Sequence, residues 1–255
     1  MIKVIFFDMD GTLYSHKTRK IPDSAMQALW ELKKNGIKVV VTTGRHLVEM
    51  EELQVLDFPF DAYITVNGQI CLNEEKEPFF LNPIQGTDKE KLIEIFQAKK
   101  IPMIINGRNG IYINFVNEDV RKTQDEVSST IPPILEYDGE DIFMVSVLCR
   151  EENETDICVF KNLKITRWNK RAIDLVPFGS GKTRGIKIFL EQTGICREET
   201  MAVGDGENDM EMIEFANIGV AMGNAKSKVQ QVADFVAADI EEDGVKKALE
   251  YFKLI

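Results

Sequence analysis

The sequence is nearly without histidine. His16 and His46 are the only two in 255 residues, so imidazole triads and histidine-rich metal cages start with almost no candidates. The four cysteines, Cys71, Cys149, Cys158 and Cys196, are scattered, with no C-x-x-C pair. That argues against a zinc site or disulfide framework and suggests small buried residues in a reducing cytoplasm, the expected location. No apolar stretch approaches the roughly 18 residues of a membrane span. The first strand-like run meets an aspartate too early for a secretory signal. Positive charge is in deficit: the formal net charge is −11, which removes the basic stripe that nucleic acid binding requires. Small anionic substrates stay open, because a local cation cluster or a metal overrides the global sign. Repeats and low-complexity segments are missing too. What the chain has in excess is carboxylate.

The carboxylates sit at telling places. Val4-Ile5-Phe6-Phe7 is a short apolar run that reads as a strand buried on both faces. It stops at Asp8-Met9-Asp10-Gly11-Thr12, two carboxylates one residue apart followed by glycine. In open α/β sheets ligands bind outside the carboxyl ends of the strands, and a carboxylate there is expensive unless a metal or proton neutralises it. Further on, Pro22-Asp23-Ser24 starts a helix running from about Ser24 to Asn35, with Gly36 as its stop. A second buried strand, Ile37–Val41, ends at Thr42-Thr43-Gly44-Arg45. A helix from His46 to about Val55 and a third strand, Ala62–Val66, follow, the latter ending at Asn67-Gly68. Strands separated by helices imply a Rossmann-like doubly wound parallel sheet.

The pattern changes near Ile70. A hairpin-like pair, Ile70–Leu72 and Pro78–Leu81, leads to Asn82-Pro83. Up to about Pro177 helices (Asp88–Lys99, Glu118–Ser128) mix with short strands (Met103–Asn106, Ile111–Phe115, Phe143–Leu148, Ile157–Phe160, and a last pair ending at Ala172–Val176). Asn106-Gly107-Arg108-Asn109-Gly110 reads as a hairpin turn. From Lys182 the first pattern resumes: a helix to about Gln192, a strand Thr200–Val203, helix Met210–Phe215, strand Ile218–Ala221, helix Ala225–Ala233, strand Phe235–Ala237 and helix Gly244–Phe252. The expected fold class is therefore α/β, with a core of residues 1–82 and 178–255 and an inserted α+β domain of residues 83–177.

Every strand-to-helix loop of a parallel sheet opens on one edge, so Asp8 and Asp10, Thr43-Gly44-Arg45, Lys182, and Asp205 with Asp209 are expected to converge. Asp205 follows an apolar strand with glycine on either side, which permits a tight turn. Asp209 lies one helical turn later and can face the same point. Such hard oxygen donors suit octahedral Mg2+. Asp205-Gly206-Glu207-Asn208-Asp209 is not read as an EF-hand calcium loop, whose oxygen spacing it does not follow. Gly179-Ser180-Gly181-Lys182-Thr183 mimics the end of a P-loop, but that motif needs glycine where Val176 stands.

Together these residues resemble the haloacid dehalogenase superfamily, in particular its Cof-type phosphatase branch with a large α/β cap. The match spans essentially the whole chain. It rests on D-x-D-G-T-L at Asp8–Leu13, T-G-R at Thr43–Arg45, N-G at Asn67-Gly68, G-x-x-K at Gly179–Lys182, G-D-x-x-N-D at Gly204–Asp209 and V-A-M-G-N-A at Val220–Ala225. The resemblance implies Asp8 as the nucleophile that forms an aspartyl-phosphate. It implies Asp10 as the proton shuttle, a role that asks for a carboxyl whose pKa is raised above its neighbour's. Mg2+ would be held by the Asp8 side chain, the Asp10 backbone carbonyl and Asp205, with Asp209 binding directly or in support. Thr43, favoured over Thr42 by its adjacency to Gly44, would hydrogen-bond a phosphoryl oxygen, and Lys182 would balance charge. Asn208 would touch phosphate or Lys182, Arg45 would contact phosphate or cap its helix, and Asn67 would shape its loop. The inserted domain would select the leaving group. The expected partner is a small phosphorylated metabolite, with the chain a monomer or homodimer. Sugar phosphomutase and a non-catalytic metabolite sensor are the rival readings. Dehalogenation is disfavoured, since it needs neither metal nor a second acid.

Overall fold

The computed structural model describes residues 1–127, 129–152 and 160–255. The chain divides into two compact units. One comprises Met1–Arg45, Met50–Phe80 and Gly181–Ile255, the other His46–Glu49 and Leu81–Ser180.

In the first unit, β1 (Val4–Phe7), β2 (Lys38–Thr42), β3 (Ala62–Thr65), β4 (Ile70–Asn73), β5 (Pro78–Leu81), β11 (Thr200–Gly204), β12 (Ile218–Ala221) and β13 (Phe235–Val236) form one sheet. Their order is β13-β12-β11-β1-β2-β3-β4-β5. All pairs from β13 to β3 are parallel, and β4 returns antiparallel to β3. The α/β expectation therefore holds. The apolar run of β1 lies in the middle because all four residues are fully enclosed. Val4 and Phe6 pack with Val40, Ala62 and Ile64 against Ile186, Phe189 and Leu190 of helix α5 (Lys182–Thr193). Ile5 and Phe7 point to the opposite face. Helices α1 (Asp23–Lys34) and α8 (Gly244–Tyr251) touch each other, and α1 also contacts β2.

The second unit has a five-stranded antiparallel sheet of β6 (Met103–Asn106), β7 (Ile111–Ile113), β8 (Met144–Val147), β9 (Leu163–Asn169) and β10 (Ala172–Pro177), ordered β7-β6-β8-β10-β9. Helix α3 (Gly86–Ala98) buries Leu92 and Phe96 against Met103, Ile105, Val145, Val147, Ile173 and Leu175. Helix α4 (Glu118–Glu126) places Val120 among Ile104, Ile111, Ile113 and Ala172. The Asn106–Gly110 turn is the hairpin that its sequence suggests, closed by the Gly107 N–H on the Gly110 carbonyl at 2.9 Å. The expected strand Ile157–Phe160 lies, but for Phe160, outside the described residues, as do Cys158 and Ser128.

Three expectations need correction. The helix expected over Ala225–Ala233 is only α7, Ser227–Gln230. Lys226 is extended (ψ 149°), so Ala225 is spent on a turn, its N–H on the Met222 carbonyl at 3.0 Å. The helix expected to run to Val55 is α2, Leu47–Glu52, because Gln54 turns left-handed (φ 56°). Cys71 and Cys149 are buried as expected, but Cys196 is exposed. Among the described residues no helix is long and apolar enough to cross a membrane.

Candidate active site

Strand register builds the site. Phe7 of β1 lies level with Val203 of β11 and Val41 of β2, so the next residue of each chain segment emerges at the same height. The Asp8 N–H extends the ladder onto the Val203 carbonyl at 2.9 Å, and the Thr43 N–H reaches the Ile64 carbonyl at 2.8 Å. Asp8, Thr43 and Asp205 thus leave the carboxyl ends of neighbouring strands side by side.

Lys182 is the hub. It opens α5 yet is almost fully buried, its Nζ 2.5 Å from Asp8 Oδ1 and 2.6 Å from Asp209 Oδ1. Burial alone would strip its proton, but the Asp209 and Asp8 charges outweigh that and hold its pKa above the ordinary lysine value. Asp209 has no exposure. Its Oδ2 accepts the backbone N–H groups of Asp205 at 3.1 Å and Gly206 at 2.8 Å, which braces the loop that aims Asp205. Burial, then the Asp209 charge, pushes the Asp205 carboxyl up to about 7, with Lys182 opposing. The same two causes raise Asp8 well above the usual carboxylate range. One oxygen each from Asp8, Asp205 and Asp209 lies within 4.8 Å of the others. Three carboxylates so crowded, two of them resisting ionisation, form a hard-oxygen donor set that fits a divalent cation.

Asp10 overturns its expectation. Its carboxyl was expected above its neighbour's in pKa; the structure reverses the order. Burial raises it, but hydrogen bonds from His16 and Arg45, with the Arg45 charge, hold it well below the usual carboxylate range. Arg45 is bidentate, Nε on Oδ2 at 2.7 Å and Nη2 on Oδ1 at 2.8 Å. His16 Nε2 stands 3.2 Å from Oδ1. Arg45 is accordingly a clamp on Asp10, an alternative to both roles weighed for it from sequence.

Thr43 is enclosed, and its Oγ1 accepts the Arg45 N–H at 3.1 Å, which leaves its hydroxyl proton to donate elsewhere. Thr42 is also enclosed, and its Oγ1 has no hydrogen-bond partner among the described residues. Gly44 faces Asn67, whose Oδ1 would lie 3.2 Å from a Cβ added there. Asn67 belongs to an unusual run in which Val66 (φ 53°), Asn67 (φ 52°) and Gly68 (φ 82°) are all left-handed. For a β-branched residue that is a true outlier, held by the Val66 N–H on the Arg45 carbonyl and the Asn67 N–H on the Thr43 carbonyl, both 3.0 Å. The strain turns the Asn67 amide toward Asn208, whose Nδ2 lies 3.4 Å from Asn67 Oδ1. Asn208 is exposed, and among the described residues its side chain makes no hydrogen bond to Lys182.

Two contributors had no role assigned from sequence. Asn224 Nδ2 bridges the Gly11 carbonyl at 2.9 Å and Asp205 Oδ2 at 3.1 Å, tying the segments that follow β1, β11 and β12 together. Gly11 (φ 76°) must be glycine, since a Cβ would sit 2.2 Å from Asp205 Oδ2. The signal for Asn224 was the V-A-M-G-N-A run at Val220–Ala225, which contains it but gave it no role of its own. His16 carried no signal beyond lying in a basic loop.

Known proteins frame this geometry. Residues 5–249 match the family of haloacid dehalogenase-like hydrolases. YkrA of Bacillus subtilis (strain 168) is 31% identical over 262 residues, covering 99% of this chain and 98% of its own. The 5-amino-6-(5-phospho-D-ribitylamino)uracil phosphatase YcsE of the same organism is 30% identical, covering 99% and 96%. Among solved structures, the phosphatase BT1666 of Bacteroides thetaiotaomicron superposes with a TM-score of 0.88 at 32% identity, covering 100% of this chain and 96% of its own. The subclass IIB sugar phosphatase BT4131 gives 0.86 at 33%, covering 99% and 100%. With its strand-end carboxylates, its buried lysine and these relatives, the chain belongs to the haloacid dehalogenase-like hydrolases, in their phosphatase branch.

Proposed function

We propose that this protein is a Mg2+-dependent phosphatase that hydrolyses small phosphorylated metabolites, sugar phosphates or nucleotide-like cofactors, through an aspartyl-phosphate on Asp8. The observation that carries the reading is the buried Lys182 bridging Asp8 and Asp209, whose carboxylates lie close to that of Asp205. Relatives named as a sugar phosphatase and a ribitylamino-uracil phosphatase support the substrate class. Substrate selection is assigned to the inserted residues 83–177.

In this reading an Asp8 oxygen attacks phosphorus while the bond to the leaving alcohol breaks and Asp10 supplies the alcohol's proton. Water then gives a proton back to Asp10 and displaces phosphate from Asp8. Asp10 can carry that proton only after loosening its Arg45 clamp. An incoming phosphoryl group, dianionic and close to the guanidinium, competes for Arg45 and supplies the release. Thr43 donates to a phosphoryl oxygen, Gly44 lets that oxygen approach the backbone, and Asn208 donates from the opposite loop. Lys182 neutralises Asp8 and the transferring group. Mg2+ held by Asp8, the Asp10 carbonyl and Asp205 would supply charge neutralisation between nucleophile and phosphate. Both Asp209 oxygens are engaged by Lys182 and backbone N–H groups, which favours Asp209 as a brace.

Phosphate release from p-nitrophenyl phosphate tests the reading: full activity in excess EDTA would sink it. A second check follows from the raised carboxyls. Folded pKa values above the ordinary carboxylate value mean that the native state binds protons the unfolded state lacks. Their contribution to stability therefore falls as pH rises from about 4 to about 7. A divalent cation binds the ionised forms, so Mg2+ should raise the melting temperature more at about pH 8 than at about pH 5.5. An equal or reversed effect would argue against Asp8 and Asp205 as ligands.

The strained turn makes its own prediction. Asn67→Gly keeps the left-handed backbone at no steric cost but removes the amide facing Asn208. Stability should change by less than about 1 kcal/mol, while kcat/KM falls about tenfold, equivalent to one good hydrogen bond. Unchanged kinetics would reduce Asn67 to a turn former.

A further inference from the structure

Asn224 stands where three segments of the first unit meet, and its amide is fully used. Nδ2 donates to the Gly11 carbonyl at 2.9 Å and to Asp205 Oδ2 at 3.1 Å, while Oδ1 accepts the Ile240 N–H at 3.1 Å. The Ile240 N–H can only donate and the other two oxygens can only accept, so the amide has a single orientation. Its backbone is held as firmly. The Met222 N–H donates to the Gly204 carbonyl at 2.9 Å and the Gly223 N–H to the Ala238 carbonyl at 3.0 Å. A Cβ on Gly223 would lie 2.6 Å from the Asp239 backbone nitrogen, so the chain is closely packed just before Asn224. Asp205 Oδ2 is therefore caught between a fixed amide and the Gly11 backbone. Asp205 Oδ1 accepts no hydrogen bond among the described residues. One oxygen of this carboxylate is engaged and the other is open. The second Nδ2 bond holds Gly11, the residue after Asp10, whose backbone carbonyl is another assigned ligand.

We propose that Asn224 is a positioning residue that restricts Asp205 to coordination through Oδ1 alone and so tunes the centre to Mg2+ over Ca2+. The inference rests on the phosphatase reading and deepens it. Mg2+ requires near-octahedral ligands at about 2.0–2.1 Å, whereas Ca2+ accepts about 2.3–2.6 Å and takes carboxylates through one oxygen or both. With Oδ2 engaged, a two-oxygen grip by Asp205 costs the hydrogen bond to Asn224. The bond to Gly11 meanwhile sets the spacing between ligands carried by the ends of β1 and β11. Partners that orient ligands in this way carry metal affinity without touching the ion. Without Asn224 the Asp205 carboxylate can turn and the Gly11 segment can shift. A small ion that demands fixed geometry loses more by that than a larger, more tolerant one.

Calorimetric titration of the substrate-free protein with magnesium chloride and with calcium chloride tests the assignment. Asn224→Ala should weaken Mg2+ binding about tenfold or more, the scale on which such partners are felt, and Ca2+ binding by a smaller factor. Ser15→Ala is the structural control: Ser15 Oγ donates to Glu241, next to Ile240, and ties the segment after β1 to the same part of the chain. It should leave both affinities as they are in the unaltered protein. Equal losses for the two cations, an unchanged Mg2+ affinity, the same shift in Ser15→Ala, or no Mg2+ binding by the unaltered protein would overturn the assignment. Asn224 is exposed, and a thermal melt in EDTA verifies that its variant is folded. Asn224→Leu, close in volume and equally without a donor, repeats the titration should the alanine variant unfold. If neither folds, Asn224 is a structural residue and the assignment falls. Phosphate release from p-nitrophenyl phosphate is followed in the same preparations. Selective loss of Mg2+ binding in Asn224→Ala, with no release by the unaltered protein, refutes the phosphatase reading and leaves Asn224 in its role. Mg2+-dependent release with an unaltered cation preference in Asn224→Ala does the reverse.

Discussion

Asp8→Asn should reduce hydrolysis of p-nitrophenyl phosphate by roughly 10⁴-fold or more, the scale on which losing a covalent nucleophile is felt, while raising the stability of the metal-free protein at neutral pH. The two effects share one cause. Asp8 is enclosed at the end of β1 and faces Asp209 and Asp205, and burial leads the causes that hold its carboxyl well above the ordinary range. A raised pKa means that the folded state disfavours the charge it carries above that pKa. Replacing the charge by a neutral isostere removes that cost, while Lys182 keeps Asp209 as its partner. Stability surrendered at a reacting group is the usual trade between activity and folding. Thermal melts in EDTA at about pH 8, set beside initial rates with Mg2+, check both halves. A variant that loses stability along with activity would show Asp8 to be a structural anion, and one that retains activity would end the aspartyl-phosphate reading. Asp10→Asn gives the contrast: turnover stops, but Mg2+ affinity is spared, because the Asp10 backbone is the assigned ligand.

Lys182→Met should do more damage to the fold than any other single change at the site. Among the described residues its ammonium group is the only cation paired with both Asp8 and Asp209. Deleting one partner of a buried charge cluster leaves the remainder uncompensated, which costs about 3–5 kcal/mol. For a chain of this size that lowers the melting temperature by on the order of 10 °C. The deficit should shrink as pH falls, because protonation of Asp8, whose carboxyl burial already holds above the ordinary range, relieves the repulsion, and Mg2+ should restore part of it at about pH 8. A loss of activity with an unshifted melt would mean that the carboxylates find another cation.

The same residues show how far the sequence reading reached. Short apolar runs capped by aspartate, threonine or asparagine located the strands and their functional ends, because burial on both faces of a parallel sheet demands uninterrupted apolar sequence. Helix ends were less legible. Gln54 and Lys226 leave the helical region under local constraints that periodicity does not encode, and α2 and α7 are shorter than expected for that reason. Asn224 and His16 went unassigned because a lone polar residue in a loop looks the same whether it faces water or a carboxylate. The left-handed Val66 could not have been anticipated, since valine ordinarily argues against that conformation.

By itself the sequence determined that buried strands end in acidic and hydroxyl residues on one edge of a parallel sheet, with an α+β segment between two halves of an α/β unit. Only the tertiary structure decided which charge answers which. Asp8 is matched by a lysine 174 positions away and Asp10 by an arginine 35 positions away, and that division makes one carboxyl reluctant to ionise and the other eager. Spacing along the chain sets which loops meet. Ionisation depends on angstrom distances and on the water excluded between those loops, and these exist only once the strands are in register.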